Sequence, residues 1–437
     1  MAEISVGSQI FDLVFHPSHA TLYTASLSGE VKGVSYTREG KNQQQFSIKV
    51  SKKSCRGITL NEDGTRLYVA GKGKAIYAID TETSKVTESR VKAHETPINR
   101  VKHVQPWLFS TGDDDGVIKL WDPRKKESIR TYKHHFDYIT DFLWLQDSKH
   151  LVATSGDGTL SVLDVRSKSS EPFAQSEDQE DELLSIVPIK GGTKVIVGTQ
   201  LGILSVFNRS SGWGDCVDRI PGHPHSVDAL CSLPSALPNV DSSSMILTGS
   251  SDGFLRAVNI FPTKLHGVVA DHGEWPVERI AVGGGMAELT LHDNDGSPES
   301  KDEGKVGSRE EEGEDQEQDA SAAGIWWAAS AGHDEVLKLT DLGSYFSKGS
   351  READDEEEER DDSDNDADDP GEGTSAVVAP EGGGSDEGAD NDSDSDAPNA
   401  LERDRKKRKR KDKDPMLARK RKAKNEVEIE GAFFDDL

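Results

Sequence analysis

The chain has 437 residues, a formal net charge of −28 and only 33% hydrophobic residues. This apolar share is low for a chain that folds over its whole length, so part of the protein is expected not to fold. There is no run of 18 apolar residues and no basic segment followed by an apolar one at the start, so neither a membrane span nor a secretory signal is predicted. The three cysteines form no CxxC pair, which argues against a disulfide scaffold or a zinc site and favours a reducing compartment.

A repeat of about 42 residues runs along the first three quarters of the chain. Each copy contains two alternating strands joined by a turn, and the second of them ends in small residues; a tight turn and a further alternating apolar strand follow. The copies end at Tyr36, Asp80, Asp122, Asp164, Asn208, Asn259 and Asp341. About four short strands per repeat are typical of a propeller blade, so we predict an all-β, seven-bladed propeller over residues 1–346. The alternating segment from Glu3 to Val6 is predicted to pair with Val336 to Thr340 and so close the ring.

The third copy resembles a WD40 repeat, because WDPR (Trp121 to Arg124) follows a DDG turn and His94 lies upstream. This resemblance implies a buried hydrogen-bonded chain of four side chains, the structural tetrad, formed by His94, Thr111, Asp115 and Trp121. Such a chain stabilises a fold only when every polar member has a partner. The resemblance also implies partial tetrads in other copies, formed by His135 with Asp157, His223 with Asp252, and His272 with Asp334.

Propellers usually bind partners through the loops on their faces, with Trp, Tyr and Arg as anchors. Four residues at the starts of copies are candidates for such a partner face: Arg56, Arg100, Tyr138 and Trp275. The alternative for each is an ordinary half-packed residue.

No motif of enzyme chemistry is present. The sequence lacks GxxxxGK[ST], HExxH and GxSxG, and it offers no nucleophile with an adjacent base. His223 and His225 have no third metal ligand nearby. We therefore expect a protein that is not an enzyme, with no catalytic, metal or cofactor-binding residues and no small-molecule substrate.

The charge is concentrated in three segments. Residues 286–324 carry 13 acids and three bases, residues 351–400 carry 21 acids and two arginines, and residues 403–424 carry 14 bases and three aspartates. The acidic segments are expected to be disordered by self-repulsion. The predicted organisation is a propeller with an acidic insertion at about 286–324 in its last blade, an acidic linker at 347–402, a basic segment at 403–424 and a tail at 425–437.

The basic segment predicts a nuclear and nucleolar signal, with non-specific RNA contact as a further role. Its candidate residues are Arg405, Lys406, Lys407, Arg408, Lys409, Arg410, Lys411, Arg419, Lys420, Arg421 and Lys422. Ser363 and Ser393 each have an aspartate three residues later and resemble sites of acidophilic kinases. Phe433 and Phe434 in EGAFFDDL are a candidate docking motif.

The chain as a whole resembles the WD repeat-containing protein 55 family, including its fungal counterparts. The opening FDLVFHPSH, the degenerate repeats, the RKKRKRK run and the final FFDDL carry this resemblance. It implies a non-catalytic scaffold of the nucleus and nucleolus that acts in ribosomal RNA synthesis and ribosome biogenesis. The expected partners are proteins of pre-ribosomal or nucleolar complexes; a monomer without membrane contact is expected.

A second function class stays open. Ile118, Leu120, Trp121, Asp122 and Arg124 match an [ILV]-x-[ILV]-W-D-x-R box and resemble substrate receptors of cullin–RING ubiquitin ligases, in which the ligase adaptor reads this box. The next repeat has a weaker copy ending at Asp164 and Arg166. Co-purification of pre-ribosomal proteins and RNA, or of the ligase adaptor, discriminates between the two classes.

Overall fold

The computed structural model describes residues 1–238, 240–285 and 324–347, which form seven four-stranded antiparallel sheets. The first strands of neighbouring sheets contact one another in order, and the seventh contacts the first, so the sheets form a closed ring. The predicted seven-bladed propeller is confirmed. Within these residues no helix is long and apolar enough to cross a membrane.

The strands follow the repeat. The chain begins with β1 (Ala2–Ser5), which belongs to the last blade. Blade one contains β2 (Ile10–Phe15), β3 (Thr21–Ser26), β4 (Glu30–Tyr36) and β5 (Asn42–Lys49). Blade two contains β6 (Cys55–Leu60), β7 (Arg66–Gly71), β8 (Ile76–Asp80) and β9 (Lys85–Arg90). Blade three contains β10 (Ile98–Gln105), β11 (Leu108–Asp113), β12 (Ile118–Trp121) and β13 (Ser128–Tyr132). Blade four contains β14 (Ile139–Leu145), β15 (His150–Ser155), β16 (Leu160–Asp164) and β17 (Ala174–Gln175).

The remaining blades have the same order. Blade five contains β18 (Leu183–Ile189), β19 (Lys194–Thr199), β20 (Ile203–Asn208) and β21 (Asp218–Pro221), with short 3-10 helices at Lys190–Gly192 and Arg209–Ser211. Blade six contains β22 (Val227–Ser232), β23 (Met245–Ser250), β24 (Phe254–Asn259) and β25 (Lys264–Asp271). Blade seven contains β26 (Val277–Gly284), β27 (Trp326–Gly332), β28 (Val336–Asp341) and β1, and a helical turn follows at 342–347.

The turn between the second and third strands explains the recurring Asp-Gly of the sequence. Gly253 has a φ of +86°, and a Cβ atom there would clash with the carbonyl oxygen of Gly273. Glycine adopts this left-handed conformation without steric cost, whereas other residues are strained there. Blades two and seven place Lys74 (φ 61°) and Glu335 (φ 58°) in the left-handed region of the same turn.

The first and last strands close the ring. β1 pairs antiparallel with β28, Ala2 opposite Leu339 and Ser5 opposite Val336. Ile4 is 6% exposed and belongs to a core cluster shared by blades one and seven. The predicted closure is confirmed, with the strand one residue earlier than the sequence pattern indicated.

Several predictions concern residues that the structure does not describe. The acidic insertion at 286–324, the linker at 347–402, the basic segment at 403–424 and the tail at 425–437 lie outside the described residues, except for their end residues Gly324 and Ser347. The same holds for the candidate phosphorylation sites, the basic residues of the nuclear signal and the docking motif.

Candidate interaction faces

The strand order defines two faces. We call "upper" the face that carries the turns between second and third strands and the loops from each fourth strand to the next blade. The opposite, "lower" face carries the turns between first and second strands and between third and fourth strands. This assignment follows from the antiparallel pairing within every blade.

A tetrad lies beneath the upper face in blade three. His94 Nδ1 is 2.7 Å from Asp113 Oδ2, and His94 Nε2 is 2.6 Å from Thr111 Oγ1. Trp121 Nε1 donates to the same hydroxyl at 2.8 Å. The carboxylate is therefore that of Asp113, and the prediction of Asp115 is wrong. Asp113 ends strand β11 and its side chain is buried, whereas Asp115 is exposed in the turn that follows.

The charge states of this tetrad follow from its burial. Burial lowers the pKa of His94, although Asp113 opposes the effect, so the imidazole is neutral at pH 7. Burial acts to raise the pKa of Asp113, but the hydrogen bonds from His94 and from the Val117 amide outweigh it and hold the pKa below its ordinary value. A neutral His94 then donates from Nδ1 to the carboxylate and accepts from Thr111 at Nε2. Each donor of the tetrad therefore has an acceptor within it, as a buried network requires.

Two other blades contain shorter versions of the network. His272 Nδ1 lies 2.7 Å from Asp334 Oδ2, and its Nε2 lies 2.9 Å from Ser330 Oγ, so blade seven has three of the four members. In blade four His135 pairs with Asp157 at 3.0 Å, as predicted. The hydroxyl that completes this set comes from Ser161 on the third strand, at 2.8 Å.

Blade six departs from the pattern. His223 Nε2 lies 2.9 Å from Thr248 Oγ1, but its Nδ1 has no partner among the described residues. Asp252 accepts two hydrogen bonds from Arg256 instead, at 2.9 and 2.7 Å. The predicted pair of His223 with Asp252 is wrong, because a guanidinium four residues from Asp252 binds both carboxylate oxygens.

Two predicted partner-face arginines connect neighbouring blades. Arg100 is 7% exposed, and its Nε donates to the carbonyl oxygen of Thr140 at 2.5 Å, so it is not available to a partner. Arg56 donates to Asn99 at 2.8 Å and lies 3.2 Å from Asp114. Both side chains extend from the start of an inner strand towards the next blade, and they therefore form hydrogen bonds with residues of that blade.

The other two candidates differ in exposure. The hydroxyl of Tyr138 donates to Glu182 at 2.6 Å, and burial together with this carboxylate raises the pKa of Tyr138. Trp275 is 52% exposed on the upper face. Among the four candidates Trp275 has the greatest exposure, and its role in binding stays a prediction.

The candidate adaptor box runs along strand β12, and its last residues, Asp122 and Arg124, reach the lower face. Ile118, Leu120 and Trp121 are buried in blade three, so they support the fold. The side chain of Arg124 is 76% exposed and forms two hydrogen bonds of 2.9 Å with Asp122, whose pKa these contacts lower to about 2. Blade four repeats the geometry, with Arg166 Nε and Nη2 at 2.9 and 3.0 Å from the oxygens of Asp164.

The inner strands surround a central cavity of about 330 Å³. Its wall carries opposite charges in neighbouring positions: Arg100 Nε lies 3.8 Å from Asp141, and Arg279 Nε lies 3.8 Å from Asp12. Burial raises the pKa of Asp12 and of Asp141, against the attraction of Arg100. The paired charges hold neighbouring blades together, and no group of metal-ligating side chains was found among the described residues.

Sequence reasoning missed two exposed apolar side chains on the upper face, one in blade four and one in blade five. Phe136 is 92% exposed and Leu201 is 69% exposed. Both lie in turns where an apolar residue follows polar ones, and the sequence offers no signal that separates them from core residues.

A closed ring of seven four-stranded blades with His–Asp and His–hydroxyl pairs beneath one face defines a WD-repeat β-propeller. The family described as WDR55 matches residues 1–290. The chain is 57% identical over 364 residues to WD repeat-containing protein JIP5 of Laccaria bicolor, covering 80% of this chain and 78% of the relative. It is 44% identical to the JIP5 protein of Cryptococcus neoformans (77% and 80% covered) and 34% identical to WD repeat-containing protein 55 of Arabidopsis thaliana (67% and 80% covered). The chain belongs to the WDR55 family.

Proposed function

We propose that this protein is a non-catalytic nucleolar scaffold that acts in ribosome biogenesis, including the synthesis and processing of ribosomal RNA. The observation that carries the proposal is the combination, in one chain of the WDR55 family, of a closed seven-bladed ring and a run of 14 bases within residues 403–424. The ring offers fixed loop faces to protein partners. The basic run supplies a nuclear and nucleolar address and a contact for RNA phosphates.

The rigidity of the ring supports a scaffold role. Side chains and backbone of adjacent blades are joined near the inner strands, by Arg56 with Asn99, by Arg100 with Thr140, and by Ser185 with Val227 at 2.9 Å. A surface that is already ordered loses little conformational entropy when a partner binds. Loops held by such contacts therefore suit the assembly of several proteins at once.

The test is purification of the tagged full chain from nuclear extract, followed by identification of the bound proteins and RNA. Enrichment of pre-ribosomal RNA and assembly proteins is expected. A variant with the 14 bases of 403–424 replaced by glutamine should lose nucleolar enrichment, whereas deletion of an equal length at 379–400 should retain it. A wild-type protein that brings down neither pre-ribosomal RNA nor assembly proteins contradicts the proposal.

A second candidate function is that of a substrate receptor for a cullin–RING ubiquitin ligase. The observation in its favour is that two neighbouring blades present the same Asp-x-Arg pair on the lower face, with Arg124 and Arg166 both largely exposed. Recovery of the ligase adaptor in the same purification, in place of pre-ribosomal proteins, would favour this function.

A further inference from the structure

Two exposed apolar side chains lie close to a run of acids on the upper face. Phe136 and Leu201 are 92% and 69% exposed, in the loop that enters blade four and the second turn of blade five. The loop at 176–182, which connects these two blades, carries five acids: Glu177, Asp178, Glu180, Asp181 and Glu182. Large apolar side chains that are exposed in ordered loops are frequent at interaction sites.

Hydrogen bonds hold this region in place. The backbone amide of Phe136 donates to Asp157 at 2.9 Å, and the amide of Leu201 donates to Asp181 at 3.1 Å. Tyr138 donates to Glu182 at 2.6 Å and so connects the loop of Phe136 to the acidic loop. The exposure of both side chains is therefore a property of ordered loops, and binding there does not first require the loops to order.

Arg219 lies beside the acidic loop and donates to Gln179 at 3.4 Å, but its single charge does not balance five carboxylates. None of its five carboxylates forms an ion pair with another residue of the described ranges. The upper-face loops of blades one and two carry the opposite charge, with Lys52, Lys53, Lys72, Lys74 and Lys92. The five carboxylates of the acidic loop attract cations and repel nucleic acid.

We propose that Phe136, Leu201 and the acidic loop at 176–182 form a docking surface for a basic polypeptide segment of a partner protein, rich in Lys and Arg and punctuated by aliphatic residues. The carboxylates bind the cationic side chains of the segment, and Phe136 and Leu201 pack against its aliphatic side chains. An RNA ligand does not fit this sector, because its phosphates would face five carboxylates. This inference rests on the proposed function, since it names the chemistry of a partner that the scaffold binds.

The test is fluorescence anisotropy with the full chain and a labelled peptide in which Lys-Arg-Lys-Leu is repeated three times. The Phe136→Ser/Leu201→Ser variant should bind this peptide at least about tenfold more weakly than the wild type, because it lacks both apolar anchors. The Glu177→Lys/Glu180→Lys variant should also bind more weakly, and its loss should be larger at low salt. A peptide with serine in place of leucine should bind wild type and the apolar double variant equally.

The matched control is Trp107→Ser/Phe173→Ser, which removes two apolar side chains that are 54% and 64% exposed on the lower face. It should keep wild-type affinity within twofold. Acidic residues elsewhere in the chain also attract the peptide, but all variants share them, so only the differences between variants are interpreted. Equal affinity of wild type and the Phe136→Ser/Leu201→Ser variant overturns the proposal, as does an equal loss in the control.

The same variants separate this inference from the proposed function. If wild type and the apolar double variant both recover pre-ribosomal proteins and bind the peptide equally, the docking surface is wrong and the scaffold role stands. If wild type recovers no pre-ribosomal proteins but binds the peptide in a way that needs Phe136 and Leu201, the docking surface stands and the nucleolar role is wrong.

Discussion

Asp113 and His94 are bound to each other 2.7 Å apart in blade three, and both side chains are almost fully buried. We expect Asp113→Asn to lower the free energy of unfolding by about 2–3 kcal/mol, because it removes the charge that accepts from His94 and from the Val117 amide. Thermal denaturation measures the loss as a decrease in Tm. Asp115→Asn is the matched control and should leave Tm unchanged, since Asp115 is exposed. Equal decreases in Tm for the two substitutions would contradict the assignment of Asp113 to the tetrad.

The buried histidines predict a loss of stability in mild acid. Burial and the neighbouring His135 lower the pKa of His134 from 6.5 to about 4, against a smaller effect of Asp157. Between these two values the unfolded chain binds a proton that the folded chain excludes, so the free energy of unfolding decreases as pH falls. For this residue the decrease between pH 7 and pH 5 is about 2 kcal/mol. His134→Phe should flatten the dependence of Tm on pH, and an unchanged slope would contradict the assignment.

Because β1 closes the ring, deletion at the N-terminus should lower Tm far more than deletion at the C-terminus. Deletion of residues 1–7 should lower Tm by several degrees, because it exposes the edge of β28 and removes the buried Ile4 and Val6. Deletion of residues 350–437 should change Tm little. Within the strand, Ile4→Ser should cost about 2–4 kcal/mol, whereas Glu3→Ser, at an exposed position of the same strand, should cost under about 1 kcal/mol. Similar effects of the two deletions would show that β1 does not hold the ring closed.

Arg124 gives a prediction for the ligase hypothesis. Because its side chain is 76% exposed, Arg124→Ala should leave folding intact while it removes the bidentate pair with Asp122. If the adaptor reads the box, capture of the adaptor should fall strongly, and Arg166→Ala in blade four serves as the comparison. Unchanged capture by both variants would remove the ligase function, and a decrease in Tm would mean that Arg124 supports the blade.

The basic segment predicts a salt-dependent affinity for RNA. If about eight of the 14 bases in 403–424 meet phosphates of a single strand, the logarithm of affinity should fall with the logarithm of salt concentration at a slope of roughly −5 to −6. A labelled uridine oligonucleotide is the probe, because no aromatic residue lies between the bases to select nucleobases. Deletion of 403–424 should abolish the slope. A slope near zero in the full chain would exclude phosphate contact by this segment.

The repeat made the architecture predictable. Strand period and copy number agree in every blade, so the pattern predicted seven blades and the closing strand, although the turn residues of blades two and seven differ. The resemblance to WD40 repeats predicted the pair of His272 with Asp334, although the segment at 286–324 separates them in sequence.

The errors arose where several side chains compete for one partner. Asp113 and Asp115 lie two residues apart, and only their direction at the end of β11 decides which one meets His94. Asp252 was predicted to bind His223, but Arg256 lies on the adjacent strand and offers two donors. The direction of Arg100 and the exposure of Phe136 likewise depend on how neighbouring blades pack, which a single sequence does not contain.

The pairing of β1 with β28 sets a constraint on how the protein is made. Ala2 leaves the ribosome well before its partner Leu339, because 336 residues lie between them in the sequence. At roughly 5–20 residues per second, the opening segment waits on the order of 20 to 70 s for its partner strand. During that interval blade one lacks its contact with blade seven, and the apolar side of the opening segment faces water. The ring therefore cannot close before residue 341 has emerged, and until then the exposed apolar side chains of the nascent chain suit binding by chaperones.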